Sequence, residues 1–230
     1  MPYAAVLTGY GSPEMLVWSE VALPAPGPGQ IRMRVHAAGV GPTDLKIRRG
    51  DLREVFPLPD PAVLGFEAAG TVDALGPGVT GVSLGDEVAA QLPTLGGYGE
   101  YALASAWTVK PATVSWADAA ALPASAEAAV GVLRQLGVTS GETLLVLGGG
   151  GSVGVIATQL AVSQGLTVFS ATGPSDEQFA KDLGAIPVRY GSALLAQMRA
   201  HVGKVDAVFD AGGKGVACAT PSNSRAAPRA

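Results

Sequence analysis

The sequence predicts an α/β protein in which a β-rich first half precedes a doubly wound parallel sheet. Three observations predict it. Through about residue 120, short apolar or alternating runs are broken repeatedly by Gly and Pro, the pattern of a compact barrel or sandwich. Around Ser115 the apolar period lengthens and helical stretches begin. Then the apolar run from Thr143 to Leu147 leads into Gly149-x-Gly151-x-x-Gly154 and a helical stretch. That strand–turn–helix context gives a glycine spacing its meaning.

Taken in order, strands are expected at 4–8 and 16–23 around a Gly-Tyr-Gly-Ser-Pro turn, and at 31–37 after the stiff Pro-rich loop 24–29. A helix over 42–49 can begin at Pro42, because proline in the first turn gives up an N–H that has no partner there. Strands at 67–74, 86–90 and 98–102 complete the β-rich half. Helices follow at 116–122 and 126–136, the second stopped by Gly137. Strands at 144–147, 166–171, 186–189 and 205–210 then alternate with helices at 153–163, 175–183 and 192–200. The helix at 175–183 opens on a capping box, Ser175-Asp-Glu-Gln178. Alternation of this kind implies crossovers and a parallel sheet. A six-stranded sheet would need two further βα units where 216–230 has no periodicity and a disorder-like composition. The expected organisation is a β-rich domain over 1–120, a partial βα domain over 121–215 and an irregular tail over 216–230.

The glycine loop predicts dinucleotide binding. Gly149 permits the tight turn, Gly151 leaves room for a pyrophosphate, and Gly154 lets the helix sit close on the strand. Gly150, Ser152 and Val153 complete the run, and the free N–H groups of the helix start, with the helix dipole, would face the phosphates.

Bulk properties exclude several other classes. Net charge is −4 with no basic stripe, which argues against nucleic acid. No apolar run approaches about 18 residues, and the N-terminus lacks the layout of a signal peptide, so no membrane partner and a cytoplasmic location are expected. Cys218 stands alone and only His36 and His201 carry imidazoles, so neither a disulfide framework nor a metal site is expected. His36 alternates onto the polar side of its strand with Arg32 and Arg34.

Several runs together resemble the medium-chain dehydrogenase/reductases, in the zinc-independent quinone oxidoreductase branch. They are Gly39-Val-Gly-Pro-Thr-Asp44 with Ile47-Arg-Arg-Gly50, and Pro61-Ala-Val-Leu-Gly65-Phe-Glu67-Ala-Ala-Gly70. Further along come Gly85-Asp-Glu-Val88, Gly97-Tyr-Gly-Glu-Tyr101, Ala121-Leu-Pro123, the glycine loop and Val205-Asp-Ala-Val-Phe-Asp210. The resemblance implies a GroES-like catalytic domain followed by a Rossmann domain, with NAD(P)H in the cleft between them. Zinc-dependent relatives carry Cys where Gly41 stands and His where Phe66 stands, so it also implies chemistry without metal.

The expected reaction is hydride transfer to a small quinone or α,β-unsaturated carbonyl. Lys46 and Tyr98 are the candidates for stabilising the charge that develops on the carbonyl oxygen. Glu67 is expected to pair with a basic neighbour, and Asp44 to cap the helix at 42–49. An acid about 20 residues beyond the loop would select NAD. The second strand instead ends at Ala171-Thr172-Gly173, so NADP(H) is expected, with NAD as the alternative. Asp176 and Glu177 oppose a 2′-phosphate only if they face it. Thr172, Gly173 and Tyr190 are the adenosine-side candidates. Asp210, Ala211 and Gly212, at the end of the fourth strand, are candidates for the ribose or nicotinamide. The alternatives are a truncated, catalytically silent relative and a nucleotide-binding module, and a homodimer is the candidate assembly.

Overall fold

The computed structural model describes residues 1–201, 204–212 and 225–226. Most of the expected tail, with Cys218, lies outside them. The chain forms two compact units, Met1–Ala124 and Ser125–Ala230.

The first unit holds β1 (Tyr3–Leu7), β2 (Leu16–Glu20), β3 (Ile31–Ala38), α1 (Pro42–Arg49), β4 (Ala62–Val63), β5 (Glu67–Leu75), β6 (Glu87–Gln91), β7 (Tyr101–Ala104), β8 (Ala106–Val109) and α2 (Trp116–Ala120). Two antiparallel sheets result, β2-β1-β4 and β7-β3-β5-β6-β8. Alternation on β3 buries Ile31 and Met33 completely. It turns Arg32 outward to bind Asp73 at 2.8 Å. His36 is exposed, as its strand face predicts, and it stacks on Trp116 with ring centroids 4.3 Å apart.

The strand expected at 98–102 begins only at Tyr101. The chain is still turning before it: the Gly99 N–H reaches Gly96 O at 3.1 Å, and Gly97 N–H reaches Gly65 O at 3.2 Å. β4 and β8 carry no periodic signal of their own. They exist because β1 and β6 present partners in register, Leu7 to Ala62 and Val88 to Val109.

α3 (Pro123–Leu136) opens on its proline at the boundary between the units. The second unit continues with β9 (Thr143–Leu147), α4 (Ser152–Ser163), β10 (Thr167–Thr172), α5 (Glu177–Asp182), β11 (Ile186–Arg189), α6 (Leu194–Arg199), β12 (Ala207–Asp210) and β13 (Arg225–Ala226). The sheet order is β11-β10-β9-β12-β13 with every pair parallel. Chain order runs outward from β9 in both directions, so the winding reverses beside β9 and β12. In such sheets ligands bind at that reversal, outside the carboxyl ends of the strands.

Every residue of β9 is buried, as a strand covered on both faces must be. Leu144 and Val146 pack with α3, α4 and Phe209. Leu145 and Leu147 pack with Phe169, Leu194 and Met198.

Two expectations about this unit fail. The capping box at 175–178 does not form: Pro174–Asp176 is a 3-10 turn, and no side chain caps α5. Proline fixes the backbone one residue too early for Ser175 to occupy the cap. Nor is the expected tail irregular throughout, because Arg225 and Ala226 form a strand that pairs with Ala207 and Val208.

Candidate functional site

In the second unit, the glycine run is built at the carboxyl end of β9. Gly148 adopts φ +83°, and a Cβ there would stand 2.6 Å from the amide nitrogen of Gly212. Only glycine lets the ends of β9 and β12 approach this closely. The Gly148 N–H donates to the Tyr190 hydroxyl at 2.6 Å. Gly149 N–H donates to Ala171 O at 3.1 Å and Gly151 N–H to Gly148 O at 3.0 Å.

The amides thus divide between the turn and the helix start. The donors of Gly149 and Gly151 are consumed in forming the turn. Those of Gly150, Ser152, Val153 and Gly154 have no partner among the described residues, as the first turn of a helix leaves them. A Cβ on Gly154 would overlap the Gly148 carbonyl oxygen, and one on Gly150 would lie 2.6 Å from Asp176 Oδ2. Close approach to backbone requires glycine at Gly154, whereas at Gly150 the Asp176 side chain could move aside.

The other residues expected here converge on the same end of the sheet. Asp210 Oδ1 accepts from Gly212 N–H at 3.0 Å, and Ala211 N–H donates to Leu147 O at 2.8 Å. Burial pushes the Tyr190 phenol above its ordinary pKa. The Gly148 N–H lowers it, and the carboxylates of Asp210 and Asp176 raise it further. Gly173 O accepts from Asp176 N–H at 3.1 Å. Thr172 is buried, with its hydroxyl unpaired among the described residues. Open amides at the start of a twelve-residue helix, framed by close-packed glycines, suit a diphosphate. Gly150, Ser152 and Val153 could hold one, while Gly154 is buried and seats the helix on the turn.

In the first unit, Asp44, Glu67 and Tyr98 form a buried polar group. Asp44 accepts from Gly41 N–H at 2.9 Å and Gly65 N–H at 3.1 Å. It thus pins both the start of α1 and the approach to β5. Burial nevertheless holds its pKa above the usual carboxylate range. Glu67 pairs with no basic side chain among the described residues; its Oε2 accepts instead from Ala124 N–H at 2.9 Å. Its other oxygen packs on Gly39, where a Cβ would overlap it. Burial raises Glu67 as well, and the Asp44 charge adds to the effect. The Tyr98 hydroxyl is sealed from solvent, close to the Asp44 carboxylate. Burial, then the nearby Asp44 charge, raises its pKa strongly, so it stays protonated.

Lys46 is not brought to this group. Two residues rotate a helix by about 200°, so Asp44 and Ile47 face inward while Lys46 is exposed. Arg48 donates to Gly11 O and Arg49 pairs with Asp51, but Lys46 has no partner among the described residues. No three His, Cys, Asp or Glu among those residues converge as a metal would require. No helix among them is long and apolar enough to cross a membrane.

The Glu67 environment predicts a pH effect with a definite sign. A carboxyl whose folded pKa is raised contributes stability below its ordinary value of 4.5. It loses that contribution as pH rises through the raised value. Glu67→Gln keeps the acceptor for Ala124 and removes the buried charge. Thermal melts should show the variant gaining on the parent as pH rises from about 4.5 to 8. A gap that does not change with pH would contradict the burial argument.

Comparison with known proteins gives this geometry its context. Residues 27–114 match the alcohol dehydrogenase GroES-like domain family. A 2-haloacrylate reductase from Burkholderia sp. is 33% identical over 224 residues, covering 93% of this chain and 67% of that protein. The chain belongs to the medium-chain dehydrogenase/reductase superfamily, in its quinone oxidoreductase-like branch. Within the superfamily, quinone oxidoreductase from Sus scrofa is 36% identical over 173 residues, 74% of this chain and 52% of that protein. An alcohol dehydrogenase superfamily protein from Novosphingobium aromaticivorans superposes with a TM-score of 0.82 at 33% identity, covering 91% of this chain and 66% of that one. The chain spans about half to two thirds of the length of these members. Its architecture is that of a GroES-like β-rich domain with an incomplete Rossmann sheet.

Proposed function

We propose that this chain acts in NAD(P)H-dependent reduction of a small electron-poor acceptor, a quinone or an α,β-unsaturated carbonyl, without metal. The open amides of Gly150, Ser152 and Val153, at the sheet's winding reversal, carry the reading. The names of the Sus scrofa and Burkholderia relatives, a quinone oxidoreductase and a 2-haloacrylate reductase, support the acceptor class.

When bound, a nicotinamide cofactor supplies the hydride. The chain's own residues bind and orient. The α4 amides and dipole hold the diphosphate, while Asp210, Ala211 and Gly212 border the same crevice. Thr172, Gly173 and Tyr190 lie on the adenosine side. Lys46 is the α1 cation free to meet negative charge developing on the acceptor oxygen. The Tyr98 hydroxyl, a donor held protonated by burial, reaches that oxygen only if its surroundings rearrange.

The test is oxidation of NADH and NADPH with 1,4-benzoquinone, followed at the nicotinamide absorbance. Turnover above the uncatalysed rate is expected, and Lys46→Met should lower kcat/KM by about tenfold, a fraction of what a sealed oxyanion donor contributes. Cofactor binding without turnover would reduce the reading to a nucleotide-binding module. Absence of both would overturn it.

A further inference from the structure

The first unit contains an apolar cavity that the chemistry above does not use. Its volume is about 360 Å³, within the range of small-molecule pockets. It lies beside the bridge between Ala4 and Gly99, where β1 of one sheet meets the approach to β7 of the other. Ala4, Gly99 and Ala102 leave space there because their side chains are short, and Val21, Val63 and Leu103 supply apolar wall. Backbone hydrogen bonds hold the segments around it. The Val21 N–H donates to Pro2 O at 2.9 Å, and the Gly96 N–H donates to Val63 O at 3.0 Å. The space is therefore preformed.

Two features of the wall point to a ligand. Leu95, which lines the cavity, holds φ +68° although it carries a side chain. Such a conformation persists only where the surroundings fix it, and it gathers at ligand-binding sites. Here the fixing contacts are with Leu7 and Leu64 in the core. Glu100 is the one charged residue among those lining the cavity. Its Oε2 accepts from the Tyr3 N–H at 2.8 Å, which fixes the carboxylate against the start of β1. Its other oxygen has no partner among the described residues. Cations nearby are engaged elsewhere, the Met1 ammonium with Glu20 and Arg32 with Asp73. A fixed carboxylate without a counter-charge, at the edge of an apolar space, complements a cation carried on an apolar body.

We propose that this cavity binds a one- or two-ring apolar compound bearing an amine, with the ammonium paired to Glu100 and the rings against the apolar wall. The site is independent of the dinucleotide reading, since none of its residues belongs to the glycine loop or to the group of Asp44, Glu67 and Tyr98.

The test is calorimetric titration of the whole 230-residue chain with tryptamine, tryptophol and indole-3-propionate, which share a shape and end in a positive, a neutral and a negative group. Tryptamine should bind saturably with a Kd below about 1 mM, a modest demand for a ligand of its size. Glu100 is exposed, so its charge should favour the amine over the carboxylate by about tenfold, with the alcohol between them. That gap should shrink in about 1 M salt. Glu100→Gln keeps an acceptor for the Tyr3 N–H and should bring the three compounds within about threefold of one another. Ala22→Trp, at an exposed position on the rim, should fill the space and abolish binding of all three without lowering the melting temperature. No saturable binding of tryptamine would overturn the proposal. So would equal affinities for amine and carboxylate in the parent chain, an unchanged gap in Glu100→Gln, or full tryptamine binding by Ala22→Trp.

Discussion

Phe209→Ala is expected to remove about 4 kcal/mol from the stability of the second unit, the usual cost of deleting a fully buried aromatic ring. Phe209 is 1% exposed and lies opposite Val146 on the neighbouring strand. It packs with Leu144, Leu133 and Leu136 and with Ala129, Ala157 and Ala161. The alanines matter to the magnitude. They bring the helix backbones close to the sheet, so the elements around the ring have little side chain left to fold into the space. The cavity should persist, and its cost adds to the lost transfer energy. Phe209 also precedes Asp210, Ala211 and Gly212, which stand beside Gly148. A loosened β12 would loosen that border too. Urea denaturation followed by far-UV circular dichroism measures the effect, and a loss under about 1.5 kcal/mol would mean the ring is not held as described.

What the residues announce in advance, and what they do not, follows from where each feature's partner lies. α1 and β11 occupy the expected 42–49 and 186–189 because their signals are local: Pro42 at a helix start, Gly50 at its end with φ +90°, and a short apolar run between two helices. The glycine spacing likewise marks the loop, because the turn, the close approach and the helix packing all arise within a dozen residues. β4 and β8 are set by register with distant strands and have no such signal. Glu67 is the clearest case at the site. Its partner is a backbone N–H 57 residues away, and an amide leaves no mark in a sequence, so a basic neighbour is the natural but mistaken expectation. The exposure of Lys46 opposite Asp44 is readable from helical phase alone. The direction of Asp176 is not, since Pro174 converts an expected cap into a 3-10 turn and only the folded chain shows what the freed carboxylate faces.

Gly154→Ala should lower both stability and nucleotide affinity, and the sign of the first effect is diagnostic. Gly154 lies inside α4, and at an unconstrained helix position alanine is more stable than glycine by about 1 kcal/mol. Gly131, inside α3, is such a position. A Cβ there meets nothing nearer than Glu127 Oε1 at 3.8 Å, so Gly131→Ala should stabilise by up to about 1 kcal/mol. At Gly154 the same methyl would overlap the Gly148 carbonyl oxygen and lie 2.8 Å from Gly149 Cα. Those atoms are backbone and cannot swing aside as a flexible side chain would. Relief requires α4 to lift from β9, which unpacks Ala157 and Ala161, both fully buried against the sheet. Overpacking of this kind costs about 1–3 kcal/mol, enough to outweigh the gain in helix propensity. The same shift displaces the amides of Ser152 and Val153 from the turn that aims them. Affinity for ADP-ribose should therefore fall by at least about tenfold, since lost alignment of charge-assisted hydrogen bonds is worth upward of 1.4 kcal/mol. Paired thermal melts and titrations of the two alanine variants decide it. Stabilisation at both positions would show that α4 is not seated on the glycine turn, and an unaltered ligand affinity in Gly154→Ala would separate the turn from the nucleotide.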